Sequence, residues 1–339
     1  MDGPKVVFVV GAGASVGFGL PVGETLLKRV SALTHFRFDD WGRPTQGDMQ
    51  IWDALQKPDR NETRAYAEAA KKLSDTAELT LSVDDLLKSF DENQRLVEIG
   101  KLAVAKVILD AEREGSLGKI SNGEGHDGLG QLSDSWIYQL FRHIRTTVHD
   151  NERAGIFSRF AVINFNYDRC IEQFLFIALQ RAFHIDVSQA ADALESLHII
   201  HPYGSLGALD WSRAHGAIPY GAKSSQVKLP DVAKGLRTYT EQKKGGLEQD
   251  IISDVIKRCN MIVFLGFGFH PQNMAILQRP DTGSLERVFA TTGTEPDGRV
   301  QVFADRIQNA IKPGPRKTSF HGNTCDDFMR EWATAITAI

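Results

Sequence analysis

The sequence predicts an α/β protein with a Rossmann-like, doubly wound parallel sheet and a large helical insertion. The first observation is an apolar, β-branched run at 5–10, of the kind that is buried on both faces of a parallel sheet. The second is that later apolar runs alternate with helical patterns. The third is a block at 51–144 that has only helical periodicity. The later strands are predicted at 160–165, 197–200, 260–265 and 287–293.

Helices occupy most of the remaining chain. We predict a single domain, 1–339, in which residues 47–155 form the helical insertion. Within it, Ser82 followed by Asp85 is typical of a capped helix start. Residues 208–246 are polar and irregular, and we expect a lid or a small subdomain there. Loops are predicted at 34–49 and 115–130, and helices outside the insertion at 22–32, 169–182, 249–259, 300–311 and 324–339.

Composition narrows the class of protein. A net charge of -4 argues against binding through bulk positive charge, so direct nucleic-acid binding is not expected. No apolar run reaches the length of a membrane span, and the N-terminus lacks the pattern of a signal peptide. The three cysteines, Cys170, Cys259 and Cys325, are scattered and form no zinc motif. We therefore expect a cytoplasmic protein without a metal site.

The first strand runs into a glycine-rich turn, Gly11-Ala12-Gly13-Ala14-Ser15. Glycines at 11 and 13 allow the backbone to turn tightly and to approach a ligand closely. Amides at the start of the following helix would favour a phosphate group. However, Val16 stands where the dinucleotide fingerprint has its third glycine, and the Gly-Lys-Ser/Thr of ATP-binding loops is missing. The turn therefore predicts nucleotide binding without a usual dehydrogenase or ATPase pattern, and a packing role for its glycines stays open.

Three later strands also end in small or functional residues. Because ligands bind outside the carboxyl ends of the strands in open α/β sheets, we expect these strand ends to converge on one crevice. Asn166 and Asp168 follow the second strand, where either side chain also suits a helix cap. His201 follows the third strand and suits proton transfer, although a lone histidine is more often structural. The converging groups are 11–15, 166–168, 201–205 and 266–273.

Together these motifs resemble the sirtuin superfamily, and most closely the sirtuin-like NAD-hydrolase domain family of bacterial anti-phage defence systems. The motifs occur in the family's order and span most of the chain. They are Gly11 to Ser15 with Gly19-Leu20-Pro21, Asn164 to Asp168, His201 with Gly204-Ser205-Leu206, and Gly266 to Pro271 with Asn273. The chain departs from sirtuin deacylases because it lacks four zinc cysteines and the Asp-Phe-Arg-Gly stretch after Pro21. It also has Pro202-Tyr203 between His201 and Gly204.

The resemblance implies a role for each matching residue. Asn166 would match the family's catalytic asparagine, Asp168 the acid that helps to hold nicotinamide and its ribose, and His201 the general base. Residues of the first turn would hold the NAD phosphates, namely Gly11, Ala12, Gly13 and Ser15. The later nucleotide loop would be matched by Gly266 and Gly268, and the loop near adenosine by Gly293.

The function that the resemblance implies is hydrolysis of NAD to nicotinamide and ADP-ribose, with NAD as the substrate and no metal. In such systems the depletion of NAD is the antiviral defence. Two alternatives stay open: a non-catalytic subunit that senses NAD or ADP-ribose and, ranked third, an NAD-dependent protein deacylase. By the same resemblance we expect a homo-oligomer, with a partner ATPase of the HerA type as a candidate regulator.

Overall fold

A computed structural model describes residues 3–124, 128–243, 246–280, 285–312 and 314–338. Six strands form one all-parallel sheet among many helices, which confirms the predicted fold class. The strands are β1 (Val6–Val10), β2 (Phe160–Asn164), β3 (His198–Ile200), β4 (Met261–Leu265), β5 (Arg287–Thr291) and β6 (Lys317–His321). Their order across the sheet is β3-β2-β1-β4-β5-β6.

The strand order reverses in the middle of the sheet. Val10 at the end of β1 pairs with Asn164 of β2 on one side and with Leu265 of β4 on the other. After β1 the chain adds β2 and β3 on one side, and then returns to add β4, β5 and β6 on the other. Ligands of doubly wound sheets bind at such a reversal, outside the carboxyl ends of the strands. We therefore expect a ligand site beside the residues that follow β1, β2 and β4.

The central strands are apolar, whereas the edge strand that the sequence analysis missed is not. Every residue of β1, β2 and β4 is buried, as expected for strands covered on both faces. β6 reads Lys-Thr-Ser-Phe-His, begins with an exposed lysine and is otherwise half-buried. An edge strand pairs on one side only and tolerates polar residues. Its sequence therefore carries no clear strand signal.

Helices fill the connection between β1 and β2. No strand lies among the described residues of 47–155, in agreement with the sequence pattern. Ser82 caps α4 as predicted, because its hydroxyl accepts a hydrogen bond from the Asp85 amide at 3.1 Å. The helices are α1 (Gly23–Thr34), α2 (Met49–Leu55), α3 (Arg60–Ala77), α4 (Val83–Ser89), α5 (Gln94–Glu114), α6 (Ser116–Ser121) and α7 (Trp136–Thr146).

The later helices include four of the five predicted outside the insertion, and α1 is the fifth; each agrees within a few residues at each end. Shorter helices that the pattern did not indicate are also present. The later helices are α8 (Cys170–Phe183), α9 (Val187–Leu194), α10 (Leu229–Ala233), α11 (Tyr239–Lys243), α12 (Gly246–Arg258), α13 (Pro271–Ile276), α14 (Asp297–Ala310) and α15 (Cys325–Thr337). Among the described residues, no helix has both the length and the apolar character needed to cross a membrane.

Two segments predicted as loops contain regular structure. The segment 34–49 holds a short antiparallel pair, Arg37–Phe38 with Pro44–Gln46. The segment 115–130 holds α6, and its residues 125–127 lie outside the described ones. A Cβ atom at Gly118 would come within 2.0 Å of the Glu112 carbonyl oxygen. The glycine is therefore needed for close packing of α6 on the end of α5, and it does not mark a loop here.

The segment 208–246, predicted as a lid or small subdomain, packs against the helical insertion. The Lys101 ammonium on α5 lies 2.5 Å from a carboxylate oxygen of Glu241 on α11. Arg113, also on α5, donates to the carbonyl oxygen of Gly221 at 3.3 Å. None of the described residues of this segment lines the two cavities at the end of the sheet that are described below.

Candidate active site

Two adjoining cavities lie at the carboxyl edge of the sheet, where the strand order reverses. The smaller cavity, of about 260 Å³, is bordered by the residues that follow β1, β2 and β4. The larger, of about 440 Å³, is bordered by the residues that follow β1, β4, β5 and β6. Both are lined by Gly266, Phe267 and Gly268. A separate cavity of about 720 Å³ borders α1 and α3 and contains none of the predicted site residues.

The predicted site residues divide between the two cavities, with one exception. The larger cavity is lined by Gly13, Gly293 and the shared glycines Gly266 and Gly268. His201 lines neither cavity. The smaller cavity is lined by the same shared glycines together with Gly11, Ala12, Ser15, Asn166 and Asp168.

The glycines of the first turn pack against the loop that follows β4. A Cβ atom at Gly11 would lie 2.6 Å from the Gly266 carbonyl oxygen, and one at Gly13 would lie 2.8 Å from the Gly266 Cα. The Gly13 amide donates to the Gly266 carbonyl oxygen at 3.0 Å, so it is already engaged. The turn continues as a 3-10 helix, Ala12–Phe18, and α1 starts only at Gly23. These contacts support the packing role for the two glycines, although both residues still border a cavity.

Asn166 and Asp168 are joined through the hydroxyl group of Ser15. The Asn166 side-chain amide nitrogen donates to Ser15 Oγ and to the Gly11 carbonyl oxygen, both at 3.0 Å. Ser15 Oγ in turn donates to Asp168 Oδ2 at 2.9 Å. Because a carbonyl oxygen only accepts, the contact with Gly11 fixes which end of the Asn166 amide is the nitrogen. Asn166 Oδ1 receives no hydrogen bond from the described residues and is available to a ligand in the smaller cavity.

Asp168 is buried, and both of its carboxylate oxygens are already bonded. Oδ2 accepts from Ser15, and Oδ1 accepts from the Cys170 amide at 3.1 Å. Burial raises the pKa of Asp168, and the hydrogen bonds from Cys170 and Ser15 partly oppose this rise. In this arrangement Asp168 orients Ser15, which orients Asn166. The sequence assigned Asp168 to ligand contact, and the geometry gives it a clear supporting role as well.

His201 lies behind Asn166, with both ring nitrogens engaged. Nδ1 is 3.0 Å from the Asn166 carbonyl oxygen, and Nε2 is 2.7 Å from Glu172 Oε1. A backbone carbonyl oxygen can only accept, so Nδ1 is the donor in the first contact, and the Glu172 carboxyl group favours a proton on Nε2 as well. Burial lowers the pKa of His201, but the Glu172 carboxylate outweighs it and the net shift is upward. The ring therefore stays protonated to a higher pH than an ordinary histidine, and both of its nitrogens are occupied by protein partners.

The helical insertion supplies one wall of the smaller cavity, which the sequence analysis did not foresee. Ser82, Val83 and Asp84 at the start of α4 line it, together with the residues that follow β2. The Tyr167 hydroxyl donates to Asp84 Oδ1 at 3.0 Å and links this wall to the segment that carries Asn166. The capped helix start was visible in the sequence. Its position beside the ends of the strands was not, because it depends on how α4 packs.

The larger cavity combines small residues with acidic ones. Gly293 follows β5, and nothing lies within 4 Å of the place where its Cβ atom would be, so this position leaves space. Glu295 and Asp326 are the charged side chains among the described lining residues. Asp326 Oδ1 accepts from the Trp136 amide at 2.7 Å and so connects α15 with α7. Carboxyl groups accept hydrogen bonds from the hydroxyl groups of a sugar and repel a phosphate group. The larger cavity therefore suits a ribose without a further phosphate better than one that carries it.

The described residues hold no group of three or more histidine, cysteine, aspartate or glutamate side chains placed to bind a metal ion. No protein-family model matches the chain, and a search of curated proteins found no match. The function is therefore inferred from the geometry of the two cavities.

Proposed function

We propose that this protein hydrolyses the nicotinamide–ribose bond of NAD and releases nicotinamide and ADP-ribose. The observation that carries the proposal is the Asn166 amide. Its nitrogen is held by Gly11 and Ser15, whereas Oδ1 is left to the smaller cavity. An acceptor held in this way can position a water molecule or a ribose hydroxyl beside the bond that breaks.

The two cavities suit the two halves of a dinucleotide. They meet along Gly266 to Gly268, where the pyrophosphate would cross the sheet. The larger cavity would take the adenosine half, because it extends to Gly293 and to the carboxylates of Glu295 and Asp326. The smaller cavity would take nicotinamide and its ribose, because it contains Asn166.

Hydrolysis of this bond depends on positioning the ribose and a water molecule more than on acid catalysis. Breaking an N-glycosidic bond builds positive charge on the ribose, as in glycoside hydrolysis. Nicotinamide in NAD is already a cationic leaving group, so it departs without being protonated. The site has to exclude bulk water, stabilise the cationic ribose and hold one water molecule. Asn166 and the nearby carboxyl groups serve these tasks.

The biological setting follows from the resemblance. We place the protein in the cytoplasm, where depletion of NAD would act as anti-phage defence. The protein would act as a homo-oligomer, and a partner ATPase of the HerA type would restrain its activity in the cell until infection, since unregulated loss of NAD harms the host. The purified protein lacks this restraint.

The direct test is to incubate the purified protein with NAD and to measure nicotinamide by chromatography. Wild type is expected to release nicotinamide, and Asn166→Ala is expected to lose this activity. Asn61→Ala, which changes an exposed asparagine on α3, is the matched control and should behave as wild type. Absence of nicotinamide release by wild type would overturn the proposal, as would full activity in Asn166→Ala.

A second candidate is a subunit that binds NAD or ADP-ribose without turnover. The engaged ring of His201 favours it, because the proton acceptor suggested by the sequence is not free. In that case nucleotide would raise the melting temperature of the protein without being consumed. The same incubation, combined with a thermal-shift measurement, separates the two functions.

A further inference from the structure

Hydrolysis by water requires a group that accepts a proton, and this group has to border the smaller cavity. His201 does not line the cavity, and both of its ring nitrogens are engaged in hydrogen bonds with Asn166 and Glu172. Among the described residues, the acidic and imidazole side chains that do line it are Asp84, Asp168 and His270. The hydrogen bonds of these three side chains differ, and they decide which one is free to accept a proton.

We propose that Asp84, contributed by the helical insertion, is the general base of this site. Its Oδ2 takes the proton of the water that attacks the ribose. The inference rests on the proposed hydrolysis of NAD and gives the insertion a catalytic part in it.

Asp84 is oriented as a general base requires. The Tyr167 hydroxyl donates to its Oδ1 at 3.0 Å, while Oδ2 receives no hydrogen bond from the described residues. When one oxygen of a carboxylate is held by a neighbouring hydroxyl group, the other oxygen points in a defined direction. Tyr167 directly follows Asn166, so the base and the proposed water-positioning amide are tied to the same segment.

The other two candidates lack this combination. Asp168 is 3% exposed, and both of its oxygens accept hydrogen bonds, so it has no free atom to offer. The His270 ring borders the cavity but makes no hydrogen bond with the described residues that would orient it. Asp85, the acid next to Asp84, does not line the cavity, and Ser82 donates to it at 2.7 Å.

The surroundings of Asp84 bring its proton affinity towards that of a useful base. Burial raises its pKa, while the Tyr167 hydrogen bond lowers it, the neighbouring Asp85 raises it, and His270 lowers it when charged. Tyr203, a further titratable group, is close enough to Asp84 to be affected by its charge. The net shift is upward, which improves a carboxylate as a proton acceptor near neutral pH.

The step balances in atoms and charge. The water oxygen forms a bond to the anomeric carbon of the ribose. The bond from this carbon to the nicotinamide nitrogen breaks, and its electron pair leaves with nicotinamide. The water proton passes to Asp84 Oδ2 and then to solvent. One NAD and one water thus yield nicotinamide, ADP-ribose and a proton.

The test compares Asp84→Asn with wild type and with Asp85→Asn as the neighbouring control. Asp84→Asn keeps the shape of the side chain and removes its basicity, so kcat is expected to fall about 10²–10⁴-fold. The rise in melting temperature that NAD causes should persist, since binding does not need the base. Asp85→Asn should stay close to wild type. Azide attacks the ribose without losing a proton, so it is expected to raise NAD consumption by Asp84→Asn well above its rate in water alone.

The outcomes separate this inference from the function on which it rests. If wild type releases no nicotinamide, the hydrolysis itself fails and the assignment of Asp84 falls with it. If wild type is active and Asp84→Asn is equally active, only the assignment fails. Loss of the NAD-induced thermal shift in Asp84→Asn would identify a binding residue and overturn the role as a base. Should Asp84→Asn not fold, Tyr167→Phe provides the test, because it frees Oδ1 and is expected to lower kcat with NAD binding kept.

Discussion

Ser15 is a small, buried polar side chain at the site, and its hydroxyl group connects Asn166 with Asp168. Its hydroxyl accepts from the Asn166 amide and donates to Asp168. A hydroxyl group does both through a single atom, whereas an ionised carboxylate can only accept. In the sequence, Ser15 stands in the turn that was expected to bind phosphate. The structure adds an orienting role that only the fold could reveal.

We expect Ser15→Ala to lower NAD turnover on the order of 10²-fold, because the Asn166 amide loses one of its two fixed partners. The stability loss should be about 1–3 kcal/mol, since a buried carboxylate oxygen of Asp168 loses its donor. Nicotinamide release and urea denaturation measure the two effects. Ser319→Ala, on the edge strand β6, is the control and should change neither. Unchanged turnover in Ser15→Ala would contradict the orienting role.

His201 acts on the site through the Asn166 carbonyl oxygen, to which its Nδ1 donates. We expect His201→Ala to lower kcat and His201→Asn to restore part of it, because an asparagine amide can replace the donated hydrogen bond. The pH profile of kcat/KM should be the same in His201→Asn as in wild type. A general base would behave differently: neither variant would retain activity, and the corresponding limb of the profile would disappear.

At the scale of elements, one buried ion pair joins the insertion to the segment that carries Asn166 and Asp168. Arg169 Nη2 lies 2.6 Å from Glu112 Oε2 on α5, and the Arg169 amide donates to Glu112 Oε1 at 2.9 Å. The guanidinium also donates to the Ile218 carbonyl oxygen at 2.7 Å. The Arg169 guanidinium therefore joins three parts of the chain: its own segment directly after Asp168, α5 through Glu112, and the segment around Ile218. The sequence patterns predicted the helices but could not show that Glu112 and Arg169 form a pair.

We expect Glu112→Gln to destabilise the protein by about 3–5 kcal/mol, because it leaves the Arg169 charge buried without its counter-charge. Urea denaturation followed by circular dichroism gives the free energy of unfolding. The matched control is Glu68→Gln, which breaks the exposed pair between Glu68 and Arg64 on α3 and should have no measurable effect. Equal stability of the two variants would show that the buried pair does not hold the insertion in place.

At the scale of the whole molecule, the reversal of strand order brings distant segments to one edge. The larger cavity alone draws on residues from the first turn to the start of α15. Its charged lining residues among those described are Glu295 and Asp326, both acidic. Glu295 is paired with Arg299, whose Nη1 lies 2.9 Å from Glu295 Oε2. A phosphate on the adenosine ribose would meet the Asp326 carboxylate at close range, which costs free energy.

The protein is therefore expected to prefer NAD to NADP by about tenfold or more in kcat/KM, since like charges in contact oppose binding. Nicotinamide release from each nucleotide under identical conditions measures the ratio. Asp326→Asn should narrow it, whereas Glu248→Gln on α12, away from the cavity lining, should not. Equal turnover of NAD and NADP by wild type would contradict the assignment of the larger cavity to adenosine.

The sequence alone determined the fold class and the elements that carry most of the site. Apolar runs such as β1 and β4 are buried on both faces, so local composition is enough to identify them. The rule that ligands bind at strand ends then pointed to Asn166, Asp168 and the glycine loops, which the structure brings together around two cavities. The polar edge strand β6 and the short helices were missed because their stability comes from packing.

The tertiary structure decided which side chains face the cavities. His201 stands at a strand end as predicted, yet it turns to Glu172 and the Asn166 carbonyl. Asp84 lies far from Asn166 in sequence, and α4 brings it to the same cavity. Local patterns report the period and burial of an element, which follow from its own residues. The direction of a polar side chain depends on partners that are distant in the chain, and only the packed fold brings those partners within hydrogen-bond distance.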